Sequence, residues 1–399
     1  MVENTQESVL YFCSRLPSSV QSGLDLRVRG QILALLGFAK VFVFALAGKG
    51  DCFDSRISSW RSSNNEKVSN PIDAMAGMSA LNKGDHPFGA RFSIETAEEL
   101  RQEIRAHKPS LIIISRIDLS AYLGVIKEEF NGQVILDLDE SVVSTGQSIL
   151  GILKHVGQAL VFRAFSESVK KVERVTIEEV DQVWVSSEVE SSRLMSSYPE
   201  LLQKSPRISV IPNCVDTEKY KVNSGVQRSQ KTIIYPASFA YEPSLDAAKF
   251  LIEELMPILP TSVKLKFVGS HLPNWIRNQG ASNISSEGPV SDIVPHLQSA
   301  TALVVPLRAG GGTRLKVVEA LASGLPVIST EFGVEGLGLV PGLDYLKADS
   351  ASDFRDRCLE LFSNPDLSEN LSKRGEETAK LNFSTISLEQ ELTKLLTVV

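Results

Sequence analysis

Short, nearly continuous apolar runs alternate with segments of helical period along most of the chain. In the first half the runs are SVLYFC from Ser8, KVFVFAL from Lys40, SLIIIS from Ser110, VILDLD from Val134, QVWVSS from Gln182 and ISVIP from Ile208. Between them lie segments such as ETAEELRQEIRAH from Glu95, apolar on one face and charged on the other. Strands that are apolar on both faces and alternate with helices predict parallel sheets covered on both sides. The most apolar stretch, Ile32 to Gly48, is interrupted by Gly37 and Lys40 and falls short of the roughly 20 residues that span a bilayer. It reads as the end of a helix followed by a strand.

After Asp216 comes TEKYKVNSGVQRSQK, which has no apolar period and reads as a linker. The alternation then restarts with TIIYPAS from Thr232, KLKFVGS from Lys264, TALVVPL from Thr301 and LPVIST from Leu325, with helices beginning near Ser244, Asp292 and Arg314. Two such series predict an α/β fold of two Rossmann-like domains facing a cleft, the usual place for a nucleotide. The expected division is an N-terminal acceptor-side domain over 1–218 and a C-terminal nucleotide-binding domain over 219–382. A last amphipathic helix in 383–399 is expected to cross back to the N-terminal domain. Residues 48–91, rich in Ser, Asn and Gly, depart from the alternation and read as an insertion near the cleft or an acceptor loop.

Composition narrows the function classes. A net charge of −7 argues against nucleic acid as a partner, because that binding needs a basic face to displace counterions. Cys13, Cys52, Cys214 and Cys358 form no metal or redox spacing, and the five histidines, His86, His107, His155, His271 and His296, show no ligand spacing either. No metal and no cofactor is therefore expected. The first residues include Glu3 and Glu7 and no basic cluster, so the expectation is a cytoplasmic protein without a signal peptide.

The densest chemical signal is TALVVPLRAGGGTRLKVVEALASGLPVIST, from Thr301 to Thr330. An apolar strand runs into Gly310, Gly311 and Gly312, followed by a helix starting near Thr313 and stopping at Gly324. Consecutive glycines let backbone N–H groups approach an anion, and a helix start adds free donors and the positive dipole end. Arg314 and Lys316 fall in that first turn, where each cation opposes the macrodipole by about 0.3–1 kcal/mol at an exposed end. An anionic ligand such as a diphosphate removes the conflict. The plainer alternative is a tight strand-to-helix turn with surface basic residues, Lys316 pairing with Glu319.

This segment closely resembles the donor-site motif of retaining glycosyltransferases of the group-one, family-four type, which have the GT-B double-Rossmann fold. It is similar in particular to the subgroup with G-G-G-T-R-x-K-x-x-E-A. The likeness extends through PASFAYEPSLDAAKFLIEELMP from Pro236, GPVSDIVPHLQSATALVVPL from Gly288 and EFGVEGL from Glu331, and more weakly through SGLDLRVRGQILAL from Ser22, VILDLDES from Val134 and SVIPNCVD from Ser209.

The resemblance implies roles position by position. Glu319 matches the glutamate that holds the ribose hydroxyls, and Arg314 and Lys316 match the basic pair facing the departing diphosphate. Gly310, Gly311, Gly312 and Thr313 would contact the transferred sugar or distal phosphate. Pro289, Val290 and Ser291 fall where the base is cradled. Gly23 fits the loop that closes over the diphosphate, with Arg27 on the helix behind it. Asp137 and Asp139 are candidates for a contact with donor or acceptor sugar. The implied partners are a nucleotide-sugar donor and a saccharide or lipid-linked acceptor in cell-surface polysaccharide or glycolipid assembly. The implied chemistry is transfer with retention of configuration and without a metal.

Three places depart from the family pattern: one is the strand VILDLDES, after which many members carry a histidine and this chain offers Asp137 and Asp139. Gly311 stands eight positions before Glu319, where many members carry a second glutamate, and Ala237 to Tyr241 replace the usual basic residues after the first strand of the second domain.

Asp137 and Asp139 also admit other readings, as metal ligands or as the nucleophile and acid of a haloacid-dehalogenase-type phosphatase. Their position four strands into the chain disfavours both. An epimerase, or a binding relative without transferase activity, remains the further alternative. The helix from about Gly151 carries Lys154, Arg163, Lys170, Lys171 and Arg174. It is a candidate for peripheral contact with the inner face of a membrane, although a cleft-lining helix with a solvated face is the preferred reading.

Overall fold

The computed structural model describes residues 7–18, 22–63, 87–153, 156–199, 207–221 and 231–396. The chain divides into two compact units. One comprises Met1–Ser19, Gln31–Pro212 and Glu389–Val399; the other comprises Val20–Gly30 and Asn213–Leu388.

The first unit is built on a seven-stranded parallel sheet in the order β3-β2-β1-β4-β5-β6-β7. Its strands are β1 (Ser8–Arg15), β2 (Lys40–Ala47), β3 (Ser59–Ser62), β4 (Leu111–Ser115), β5 (Gln133–Asp139), β6 (Gln182–Val185) and β7 (Arg207–Val210). The helices are α1 (Gly23–Leu35), whose first residues belong to the other unit, α2 (Ile94–His107), α3 (Leu123–Glu129), α4 (Val142–Leu150), α5 (Val156–Glu179) and α6 (Glu188–Ser197). Ser93 and Ser187 cap α2 and α6 by accepting backbone N–H groups of Thr96 and Glu190. The central strands are buried on both faces, and Phe12, Phe44, Ile114, Leu136 and Val183 join one core.

The second unit has a six-stranded parallel sheet, β10-β9-β8-β11-β12-β13. It contains β8 (Thr232–Pro236), β9 (Lys264–Val268), β10 (Ile284–Glu287), β11 (Ala302–Val305), β12 (Val327–Ser329) and β13 (Leu346–Lys347). The helices are α7 (Thr217–Tyr220), α8 (Glu242–Lys249), α9 (Asn274–Arg277), α10 (Val294–Ser299), α11 (Leu315–Ala322), α12 (Ala351–Ser363), α13 (Pro365–Asn382) and α14 (Thr385–Leu396), the last ending in the first unit. A separate core gathers Ile234, Phe267, Leu303, Val318 and Ile328.

All ten expected strands are present, and two parallel α/β sheets are the predicted fold class. The three strands that sequence patterning misses, β3, β10 and β13, are all edge strands. An edge strand is covered less completely, and β3 and β10 show half-exposed and exposed positions instead of a continuous apolar run. The expected linker opens as the helical turn α7, anchored by the buried Tyr220. Residues 222–230 of the linker, 64–86 of the 48–91 segment, and Lys154, His86 and His155 lie outside the described residues. Among the described residues, no helix is long and apolar enough to cross a membrane.

Candidate active site

The second sheet reverses its strand order between β8 and β11, and ligands of open α/β sheets bind outside the carboxyl ends of the strands at such a point. From β11 the chain runs straight into the three glycines. Gly310 has φ 122° and Gly312 φ 65°, values that side chains with a Cβ rarely adopt. A Cβ on Gly310 would stand 2.8 Å from the Tyr241 hydroxyl. The same hydroxyl accepts the Gly311 N–H at 3.3 Å. Tyr241, from the segment that replaces the family's basic residues, thus fixes the glycine loop from the side of β8.

The loop is held at its other end by a buried relay. Asn213 accepts a hydrogen bond from Arg27 Nη1 at 2.9 Å and donates its amide to Thr313 Oγ1 at 2.5 Å. Arg27 is 1% exposed and Asn213 3%. A Cβ on Gly23, at the start of α1, would meet the Leu315 side chain at 3.5 Å, so Gly23 lies beside the beginning of α11.

Arg314 occupies the N-cap of α11, one residue later than the expected helix start. Its guanidinium donates through Nη1 to the carbonyls of Gly311, at 2.9 Å, and Gly312, and lies 4.8 Å over the Phe332 ring. Nη2 is buried and makes no hydrogen bond among the described residues. Lys316 is half-buried, with Nζ 4.3 Å from the Tyr235 ring centroid. Burial, with the neighbouring Arg314 charge, pulls its ammonium down to about 7. Arg314 is buried and Lys316 half-buried, and neither forms an ion pair within 4.0 Å among the described residues, although Glu319 acts on Lys316 through its charge.

Glu319 is 8% exposed and accepts the Tyr220 hydroxyl at 2.7 Å. Burial raises its carboxyl to about 6, even though the Tyr220 hydrogen bond and the charges of Lys219 and Lys316 act the other way. Pro289 and Ser291 are exposed and Val290 packs on the core, in the loop between β10 and α10. Asp292, the next residue, pairs with Lys219 at 3.2 Å, and its charge acts on Glu319. This brings the end of that loop into the surroundings of Glu319.

The second unit therefore gathers Gly310, Gly311, Gly312, Thr313, Arg314, Lys316 and Glu319 along one strand-loop-helix passage, with Gly23 and Arg27 of α1 and the loop of Pro289, Val290 and Ser291 beside it. Asp137 and Asp139 belong to the first unit. Asp137 is fully buried within β5, and the register shifts between the two residues, Asp139 having φ 62°. Of the pair, only Asp139 retains exposed surface. Among the described residues no group of three or more His, Cys, Asp or Glu side chains could hold a metal ion.

Sequence reasoning overlooked Asn213, Tyr220 and Tyr241. Tyr220 had a visible signal: it is the lone aromatic in an otherwise polar stretch.

Comparison with known proteins gives the class. Residues 230–364 match the family model described as Glycosyl transferases group 1. A search among curated proteins finds no match. The chain is similar in fold to sucrose-phosphate synthase from Thermosynechococcus elongatus, at 15% identity over 98% of each chain with a TM-score of 0.74. It is also similar to Anabaena Alr3699/HepE in complex with UDP and glucose, at 14% identity over 98% of this chain and 99% of that one, TM-score 0.66. A third likeness is to the lipopolysaccharide outer core galactosyltransferase WaaB, at 14% identity over 98% and 100%, TM-score 0.58. The fold is thus GT-B, and residues 230–364 carry a group 1 glycosyltransferase domain. The class that this domain defines is glycosyltransferase.

Proposed function

We propose that this enzyme transfers a hexosyl unit from a nucleoside diphosphate sugar to an acceptor hydroxyl with retention of anomeric configuration. One observation carries the reading: at the strand-order reversal of the second sheet, a buried arginine and a half-buried lysine, neither in an ion pair within 4.0 Å among the described residues, follow a glycine loop. Water-poor cations of that kind call for an anion, and a diphosphate fits the charge and the loop.

In the proposed reaction the bond between the anomeric carbon and the diphosphate oxygen breaks, and the acceptor oxygen bonds to the same face of that carbon. The leaving phosphate takes the acceptor proton. Negative charge grows on the departing oxygen, and preorganised donors aimed at such charge are usually the largest catalytic contribution. Arg314, Lys316 and the amides of Gly310–Gly312 fill that role, with Thr313 beside them. Glu319 accepts the ribose hydroxyls, the loop of Pro289, Val290 and Ser291 takes the base, and Gly23 covers the diphosphate with Arg27 behind it. The first unit serves the acceptor, with Asp139 on its sugar side; Asp137, fully buried within β5, is withdrawn from that role.

UDP-glucose is the first donor to test, because the similar HepE structures contain UDP, UDP-glucose or glucose. A saccharide or lipid-linked acceptor of the cell surface, met at the inner membrane face, agrees with the motif resemblance and with the similarity to WaaB. Two cations and a helix end already face the diphosphate, so the reaction needs no divalent metal.

Turnover of a nucleotide-sugar panel with mixed saccharide acceptors, with the product's anomeric configuration read by NMR, tests the reading. An inverted product, or turnover abolished by EDTA and restored by a metal, contradicts it. Glu319→Gln should weaken UDP binding about tenfold with the fold intact; unchanged affinity by calorimetry removes Glu319 from the site.

A further inference from the structure

Tyr220 connects the polar passage after Asp216 to Glu319 of α11. Its ring is 2% exposed, and its hydroxyl points at Glu319 Oε1, 2.7 Å away. The turn that carries it is fixed independently: the side-chain amide of Gln298 on α10 donates to the carbonyls of Tyr220 and Lys221, at 3.3 and 3.0 Å. Lys219, on the same turn, has Nζ 5.7 Å from the Tyr220 ring and pairs with Asp292 beside the Pro289–Ser291 loop. One short turn therefore touches both the loop assigned to the base and the carboxylate assigned to the ribose.

We propose that Tyr220 is a positioning residue for the nucleotide: its hydroxyl holds one oxygen of Glu319, fixing the carboxylate's direction and its ionised form for the ribose hydroxyls. This rests on the donor-site reading above. The physical case is that a carboxylate taken out of water tends to protonate, and a protonated Glu319 loses half of its capacity to accept from a vicinal diol. Burial does push Glu319 upward, to about 6. The hydroxyl donor opposes that tendency, as do Lys219 on α7 and Lys316 on α11, while Asp292 in the β10–α10 loop adds to it. Of these groups only Tyr220 donates a hydrogen bond to the carboxylate; the others act through their charge.

The test uses the full chain and its Tyr220→Phe variant, which keeps the ring in the core and removes only the hydroxyl. Affinities for UDP and for 2′,3′-dideoxyuridine diphosphate are measured by calorimetry from pH 5.5 to 8.5. The expected result is UDP binding about tenfold weaker near pH 6.5, with the acid limb moved to higher pH by about one pH unit. Binding of the dideoxy nucleotide, which has no ribose hydroxyls for Glu319, should be the same in both proteins. An unmoved acid limb for UDP overturns the inference and leaves the donor site standing. An equal loss on the dideoxy nucleotide also overturns it, since Tyr220 would then act on the fold and not on the ribose. If the unaltered protein itself fails to prefer UDP over the dideoxy nucleotide, the role of Glu319 falls and the inference falls with it.

Discussion

The two units use the same strand order. Numbering each sheet from its own first strand, both read 3-2-1-4-5-6, with a seventh strand added in the first unit. Each reverses between its first and fourth strands, so each offers a crevice at the same place. What fills the two crevices differs in charge compensation. In the first unit the buried Arg91 pairs with the buried Asp118, and Ser14 at the end of β1 donates to the same carboxylate at 2.8 Å. In the second unit, among the described residues, Arg314 donates to backbone carbonyls and lies over Phe332, while Lys316 lies over a tyrosine ring and meets Glu319 through charge alone. Topology supplies a crevice in both; cations without a direct ion pair among the described residues are what make the second one the proposed anion site.

The largest effect should separate the crevices by stability. Arg91→Ala leaves Asp118 buried without its cation, and breaking a buried pair in that way costs about 3–5 kcal/mol. The melting temperature should fall by several degrees. A variant that melts with the unaltered protein would mean that the Arg91–Asp118 pair is not structural, and that the first unit's crevice is also open chemistry.

Next in size come Arg314→Ala and Lys316→Ala, each expected to reduce turnover about 10²–10³-fold. The stability changes should be much smaller than for Arg91→Ala. Arg314→Ala gives up two hydrogen bonds to glycine carbonyls, about 1 kcal/mol each. Lys316→Ala removes an ammonium that burial disfavours, so at pH 7 the fold should be no less stable. The sign follows from linkage: holding Lys316 at about 7 in the folded protein lowers stability as pH falls from the ordinary lysine range toward 7, and the cost is constant below that. Melting curves and initial rates measured together decide the point. A large stability loss with normal turnover in either variant would erase the contrast between the two crevices.

Most of this contrast, but not all of it, could be read along the chain. The second crevice was legible because three glycines, two cations and a carboxylate fall within ten residues of one strand-loop-helix passage. The first crevice was not, because Ser14, Arg91 and Asp118 come from three distant segments that only the sheet's parallel register brings together. The same reason hid Tyr220 and Asn213, which act across 99 and 100 residues of sequence. The edge strands were hidden by exposure, as half-polar runs carry no period that distinguishes them from loops. Asp137 and Asp139 looked like a strand-terminal pair on one face; the register shift between them separates what strict alternation would have aligned.

The smallest expected effect is a proton count, and it sharpens the comparison most directly. If the second crevice is an anion site, donor binding must change the charge state of the groups that burial holds near neutrality. Lys316, at about 7, is mostly uncharged at pH 8 in the free enzyme, and a diphosphate beside it favours the ammonium, so binding should take up a proton. Glu319, at about 6, is half protonated at pH 6, and ribose hydroxyls donating to it favour the carboxylate, so binding there should release up to about half a proton. Net uptake at pH 8, approaching one proton, should therefore become net release near pH 6, with kcat/KM falling on both sides of the interval between them. UDP-glucose is the right probe, because its diphosphate diester has no secondary phosphate ionisation in this range. Calorimetry in two buffers of different ionisation enthalpy reads the count at each pH. Lys316→Ala should abolish the uptake at pH 8 and keep the release at pH 6, whereas loss of a partnered group in the first unit should alter neither. Identical apparent enthalpies in both buffers at pH 8 would mean that Lys316 does not meet the diphosphate, and the uncompensated charge of the second crevice would need another ligand.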